Sequence, residues 1–143
     1  AQLQAHPSHI LIGIGIATAE EIDQLNIWGA TSLAMRRAFI AMPQTAELAL
    51  VDGKIKPPNF PCPTHPVIGG DGISLSIAAA SIIAKTTRDR MMQDYAKEYP
   101  QYGFERHAGY GTAAHIAALE AHGPCPLHRR SYKPIRAYLD EAA

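Results

Sequence analysis

The sequence predicts an α/β domain on three observations. Short apolar runs end in an aspartate, at Asp52 and again at Asp71. Stretches with helical spacing lie before and after them, and glycine and proline punctuate the junctions. At 143 residues the chain is one domain or part of one, and a chain of that size buries about 68–70% of its unfolded surface. A composition of 47% hydrophobic and 18% charged residues is that of an ordinary globular protein. No apolar run approaches the roughly 18 residues of a spanning helix, and no signal peptide opens the chain. A cytoplasmic monomer with no membrane contact is expected. The formal net charge is zero, so a nucleic-acid partner has to be held by local charge.

The elements follow in order. Residues 1–8 read as the tail of a helix. Ile10, Ile12, Ile14 and Ile16 then alternate with Leu11, Gly13, Gly15 and Ala17. Period two with glycines on one face predicts a strand close under a helix or another backbone. Thr18 and Glu21 form a capping box that starts a helix. A second helical run carries Ile27, Ala30, Ala34, Ala38 and Ala41, and Pro43 stops it. Residues 48–52 are an apolar strand ending at Asp52. Five prolines make residues 54–66 a loop without regular structure. Residues 66–71 are a second apolar run, and 74–95 a long helix. That helix places Leu75, Ala78, Ala79, Ile82 and Ile83 on a face expected to pack in the core. Its second half, with Lys85, Arg88, Asp89 and Arg90, is expected to be solvated. Gly109, Tyr110 and Gly111 break the chain before Thr112 caps a helix over 113–121. Residues 128–136 form the most basic stretch, with Arg129, Arg130, Lys133 and Arg136, and with Tyr132 and Tyr138 about its end. That pattern suits phosphate contact and stacking, or a solvated tail.

Asp52 and Asp71 carry the chemistry. Carboxylates at strand ends beside a helix start are held by rigid elements yet reach solvent, which suits Mg²⁺ or Mn²⁺. A turn-forming role is the plainer reading of Asp52 next to Gly53. Two cysteines lie between prolines, and both Cys62 with His65 and Cys125 with His128 spell C-x-x-H. A zinc site is conceivable, but these spacings match no common finger. The simpler reading is two unrelated loops with reduced thiols. The seven histidines are scattered, and His107, His115, His122 and His128 read as loop or surface residues.

These residues resemble the bacterial ribonuclease HII family. The likeness runs through Glu21, Ile22 and Asp23, Asn26 and Ile27, and 34–38. It continues through Val51, Asp52 and Gly53, then Gly70 and Asp71, the helix from Ser74 to Lys85, and Arg88, Asp89 and Arg90. It closes with 102–104, 107–112, 122–124 and 128–132. It thus covers nearly the whole chain in order.

The resemblance implies an RNase H-like mixed sheet flanked by helices, with a C-terminal helical extension. Residues 1–124 would be a partial catalytic domain, with strands near 9–17, 47–52 and 66–70 and helices near 19–26, 28–42, 74–97 and 112–121. Residues 125–143 would be a basic segment with a short helix. Family members cut the RNA strand of RNA–DNA hybrids, including on the 5′ side of single ribonucleotides in DNA, leaving 5′-phosphate and 3′-hydroxyl ends. That is chemistry suited to ribonucleotide excision repair, and it uses four acidic residues with Mn²⁺ or Mg²⁺. Asp52 and Asp71 match the third and fourth of those acids. Tyr110 matches the tyrosine that stacks on the sugar beyond the cleavage junction. Lys85, Arg88, Arg129 and Arg130 are weaker candidates for phosphate contact. In-line displacement at a phosphodiester needs an activated water and a stabilised leaving oxygen, and carboxylate-bound metals about 3.5–4 Å apart provide both.

The family's Asp-Glu pair and glycine–arginine–glycine turn have no counterpart among these residues. Since that turn reads the 2′-hydroxyl, the chain corresponds to a C-terminal portion lacking the first strands, and by itself is expected to be inactive. Gly70 and Ala108 stand where the family commonly has lysines, which predicts weaker, less salt-sensitive binding. A non-catalytic nucleic-acid-binding module of the same fold is the alternative. An unrelated small-molecule enzyme is disfavoured, because the segment from Gly69 to Gly72 is too short for a phosphate loop and lacks a following lysine.

Overall fold

The computed structural model describes residues 10–141. The chain forms two compact units that part between Ser81 and Ile82, within a single helix. The first unit holds α1 (Ala19–Ile40), β1 (Ala49–Asp52), β2 (Thr64–Val67), a 3-10 turn (Gly70–Gly72) and the start of α2 (Leu75–Glu98). The second holds the rest of α2, a 3-10 turn (Pro100–Tyr102), α3 (Phe104–His107), α4 (Ala113–His122) and α5 (Lys133–Glu141). The helical tail expected over residues 1–8 lies outside the described residues. Among those described, no helix is long and apolar enough to cross a membrane.

The capping box sets the start of α1. The Glu21 amide donates to Thr18 Oγ1 at 3.2 Å, and the Thr18 amide donates to Glu21 Oε2 at 2.9 Å. Asn26, at φ 59°, kinks the helix, and its Oδ1 accepts from the amides of Trp28 (2.9 Å) and Gly29 (3.2 Å). Asn26 thereby caps the second half from inside the element, because an asparagine side chain can replace the helix's own carbonyls.

Residues 10–18 carry no regular secondary structure, where alternation predicts a strand near 9–17. A strand is defined by its ladder, and no described strand pairs with this segment. The alternation reflects a close approach to α1 instead. A Cβ on Gly13 would collide with the Ala38 carbonyl oxygen, and one on Gly15 with that of Ala34. Arg37 clamps the segment in place, donating from Nη1 to the Ile16 carbonyl at 2.6 Å. It also binds both Glu21 carboxylate oxygens, at 2.7 and 2.6 Å. Bidentate pairing of this kind is the strong form of ion pair, and it holds the Glu21 carboxyl down at about 2.

β1 and β2 pair in parallel, Ala49 opposite Thr64 and Asp52 opposite Val67. β2 lies earlier than the expected 66–70, and so begins inside the proline-rich loop. Pro66 is tolerated because, among the described residues, β2 pairs with β1 alone, so the missing amide deprives no ladder partner on its other side. The connection between the strands is pinned to α1 by Phe60, whose ring meets that of Phe39 edge-on at 5.3 Å.

The expected core face of α2 is corrected by the structure. Leu75 is 87% exposed and Ile82 61%, whereas Ile77 is the buried residue of the helix. Among the described residues the sheet has two strands, and its face covers one isoleucine rather than a full stripe. In the second unit, Tyr102, Phe104, Leu119 and Ile135 form the core, with Met92, Tyr95, Ile116 and Leu127 packed around it. Each fully buried side chain of that size contributes about 1.5–3 kcal/mol. The Tyr102 hydroxyl donates to the Gly123 carbonyl at 2.6 Å, so its burial strands no polar atom.

Two outcomes test this packing. Gly15→Ala forces a Cβ onto the α1 backbone and lowers stability by about 1–3 kcal/mol in urea unfolding, the usual cost of overpacking. An unchanged midpoint would refute the seating of residues 10–18 on α1. The Glu21–Arg37 pair stabilises the folded chain fully above pH 4.5, the ordinary carboxyl value, and loses its effect as pH falls toward about 2. The stability gap between the protein and E21Q therefore closes over that window.

Candidate active site

Asp52 is the last residue of β1, and its side chain is solvent-facing, as is that of Asp71. The Gly70 amide donates to Asp52 Oδ1 at 2.8 Å. This hydrogen bond brings the Asp52 carboxylate to the residue preceding Asp71. Asp71 does not end a strand: it sits in the 3-10 turn after β2, which Gly69 enters at φ 63°. The turn is closed by the Ser74 amide donating to the Gly70 carbonyl at 2.8 Å, directly ahead of α2. Gly70 itself is buried. A Cβ there would lie 2.6 Å from Ile77 Cδ1 and 3.3 Å from Val67 Cβ, so a lysine at this position requires Ile77 to move.

Both aspartates offer hard anionic oxygens to solvent, and Asp52 is fixed by a backbone donor. The pair thus suits Mg²⁺ or Mn²⁺ as part of a ligand set. Among the described residues there is no group of three or more His, Cys, Asp or Glu able to hold a metal. Both cysteines are free thiols, and Cys125 Sγ lies 3.1 Å from His128 Nδ1 as part of a hydrogen-bonded turn.

The other candidates lie in the second unit. The Tyr110 ring is 66% exposed, so a face is open for stacking. Arg88 is committed to the same turn: Nη2 donates to the Ala108 carbonyl at 2.8 Å, and the guanidinium lies 5.8 Å from the Tyr110 ring centroid. Ala108 is left-handed at φ 47°, which turns its carbonyl toward Arg88. Lys85 is exposed and 3.8 Å from Asp89. Arg129 lies 5.1 Å from the Tyr132 ring centroid, and Arg130 is exposed.

The histidines depart from expectation. His107 and His115 are buried and His128 half-buried, whereas His122 is exposed as expected. The His107 and His115 rings stack at 4.5 Å, and His115 Nε2 meets His128 Nε2 at 3.0 Å. Burial pushes the His115 and His128 imidazoles below the ordinary value. His107 and His115 bracket Tyr110 in the sequence, and His128 follows Cys125 by three residues. That spacing was the available signal, but a histidine alone does not declare whether it is inside.

The chain is thus α/β, with carboxylates at a strand end and on the adjoining turn. Its backbone matches the crystal structure of the ribonuclease H2 from Pyrococcus horikoshii with a TM-score of 0.71. The match covers 87% of this chain and 66% of that one at 20% identity, a likeness of fold. The family model described as Ribonuclease HII matches residues 5–135, and the chain belongs to that family. Among its relatives, the ribonuclease HII of Paramagnetospirillum magneticum is 55% identical over 133 residues, and that of Gluconobacter oxydans 57% identical over 133. The chain spans 66% and 64% of the length of these relatives, and 93% of it is covered in each.

The buried imidazoles give a pH dependence of definite sign. Unfolding lets His115 and His128 take up protons at their ordinary value of 6.5, which the folded chain resists. Their contribution to stability is therefore full above pH 6.5 and lost as pH falls below it. An NMR titration should find both still mostly neutral at pH 6.5, the ordinary imidazole value; half-protonation of either ring at that pH would refute this.

Proposed function

We propose that this chain supplies part of the catalytic machinery of an endonuclease that hydrolyses the RNA strand of RNA–DNA hybrids, including 5′ of single ribonucleotides in duplex DNA. The observation that carries the reading is the exposed Asp52 carboxylate at the end of β1, held by the Gly70 amide beside an exposed Asp71. Membership of the ribonuclease HII family supports the same reading. Asp52 and Asp71 are the residues that would hold Mn²⁺ or Mg²⁺. A bound divalent cation lowers the pKa of water and neutralises charge at the leaving oxygen. The carboxylates give anionic oxygens that need no covalent step. The Gly70 amide keeps Asp52 in one rotamer, so little order has to be imposed when substrate binds.

Tyr110 is assigned to the substrate, with its exposed face stacking on a sugar. Arg88 holds the turn that carries it, and Lys85, Arg129 and Arg130 contribute phosphate contacts of lesser weight. The products would carry 5′-phosphate and 3′-hydroxyl ends, as ribonucleotide excision requires. Two carboxylates alone do not fix a pair of metals, so these 143 residues by themselves should show no useful turnover.

The test uses Asp71→Asn in a chain completed with the family's Asp-Glu strand and glycine–arginine–glycine turn. We expect cleavage of a hybrid duplex with Mn²⁺ to fall by at least about a hundredfold while hybrid affinity is kept, since a metal-held nucleophile is worth several kcal/mol. Unchanged cleavage overturns the assignment of Asp71. Binding without cleavage in the unsubstituted completed chain would favour a non-catalytic module of the same fold. Turnover by the isolated 143-residue chain at the rate of a complete family member would overturn the predicted inactivity.

A further inference from the structure

Three imidazoles, two buried and one half-buried, lie around the turn that presents Tyr110, and none has a part in the chemistry above. Their hydrogen bonds can be read for proton position, because backbone groups have fixed roles. A carbonyl only accepts and an amide N–H only donates. His115 Nδ1 faces the Tyr110 carbonyl at 3.0 Å, so Nδ1 carries the proton and Nε2 is left an acceptor. The partner of that Nε2 is His128 Nε2 at 3.0 Å, which must then donate. His128 Nδ1 is in turn an acceptor, and it receives the Cys125 amide at 3.0 Å with the Cys125 thiol at 3.1 Å. The Cys125 carbonyl, at 3.3 Å, is the longer contact and would need a second proton on the same ring. His107 follows the same logic. Its Nε2 faces the Tyr102 carbonyl at 2.8 Å, and its Nδ1 accepts the Gly109 amide at 3.2 Å. One proton per ring satisfies every contact except that longer one to the Cys125 carbonyl, with no two donors opposed.

The two chains end on either side of Tyr110. His107 holds the amide of Gly109, and His115 the carbonyl of Tyr110 itself. We propose that His107, His115 and His128 are positioning residues that clamp the backbone on both sides of Tyr110, the tautomer of His115 matched through His128 to the Cys125 amide and that of His107 set by the Tyr102 carbonyl. The clamp leaves the side chain in solvent while its backbone is paired. This inference rests on the assignment of Tyr110 to the substrate only for its consequence in binding. The geometry of the clamp stands apart from it.

The experiment has a readout on the unaltered protein and one on variants. Nitrogen-15 NMR of the imidazoles should find the proton on Nδ1 of His115 and on Nε2 of His107 and His128; any other tautomer at His115 or His128 overturns the proposal. His115→Asn keeps a donor near the Nδ1 position, whereas His115→Ala removes it. Exchange of the Thr112 amide, which also binds the Tyr110 carbonyl, should quicken about tenfold in the alanine variant, the scale of one lost hydrogen bond. It should return toward the original rate in the asparagine variant. Equal exchange in all three overturns the clamp. For hybrid affinity, His115→Ala added to Tyr110→Ala should cost nothing further, whereas additive losses overturn action through Tyr110. Should Tyr110→Ala leave affinity intact, the stacking assignment fails, and the tautomer and exchange results decide the clamp by themselves.

Discussion

The hydrogen bond from the Gly70 amide to Asp52 Oδ1, 2.8 Å long, is the interaction on which the candidate active site depends. It crosses from the end of one strand to the turn following its neighbour, and it converts a flexible carboxylate into an oriented one. Charge-assisted bonds from an amide to a carboxylate are short and roughly twice as strong as neutral ones. The parallel register makes the bond possible: Asp52 opposite Val67 sets the end of β1 level with the start of the Gly69–Gly70 turn. Gly70 has no side chain because Ile77 and Val67 occupy the space where one would go. Packing, turn conformation and carboxylate orientation are therefore one solution rather than three.

The second unit answers a related problem in another way. Its core is aromatic, with Tyr102 and Phe104 stacked at 5.3 Å, and three imidazoles stand within that ring system. Buried polar atoms are costly unless paired. Here the pairing is achieved by neutral rings whose donor and acceptor ends alternate, ending on backbone groups of the Tyr110 turn and of Cys125. The reward is rigidity at the base of an exposed tyrosine. An aromatic platform binds a sugar or base best when its backbone loses little freedom on contact. Arg88 reinforces the same turn through the Ala108 carbonyl, so its role is in part structural even where phosphate contact is assigned to it.

Local rules made much of this chain legible. The Thr18–Glu21 box, the break near Asn26, the long helix after Asp71 and the Thr112 cap all rest on hydrogen bonds within a few residues, which the sequence writes out directly. The glycines at 13 and 15 announced a close backbone neighbour, and α1 is that neighbour. What proved harder was anything set by partners far along the chain. Residues 10–18 alternate as a strand does, yet a strand needs a ladder. The face of α2 reads as core by its spacing, yet Leu75 and Ile82 face solvent.

By itself the sequence determined which residues can do chemistry: two aspartates beside strand ends, a tyrosine between glycines, and a family likeness running through them. Only the tertiary structure decided how those residues are held. Whether an imidazole is buried, which of its nitrogens carries the proton and which amide faces a carboxylate depend on groups brought together from distant positions. Side-chain identity fixes the capacity to donate or accept, but the neighbour that meets it is chosen by the fold.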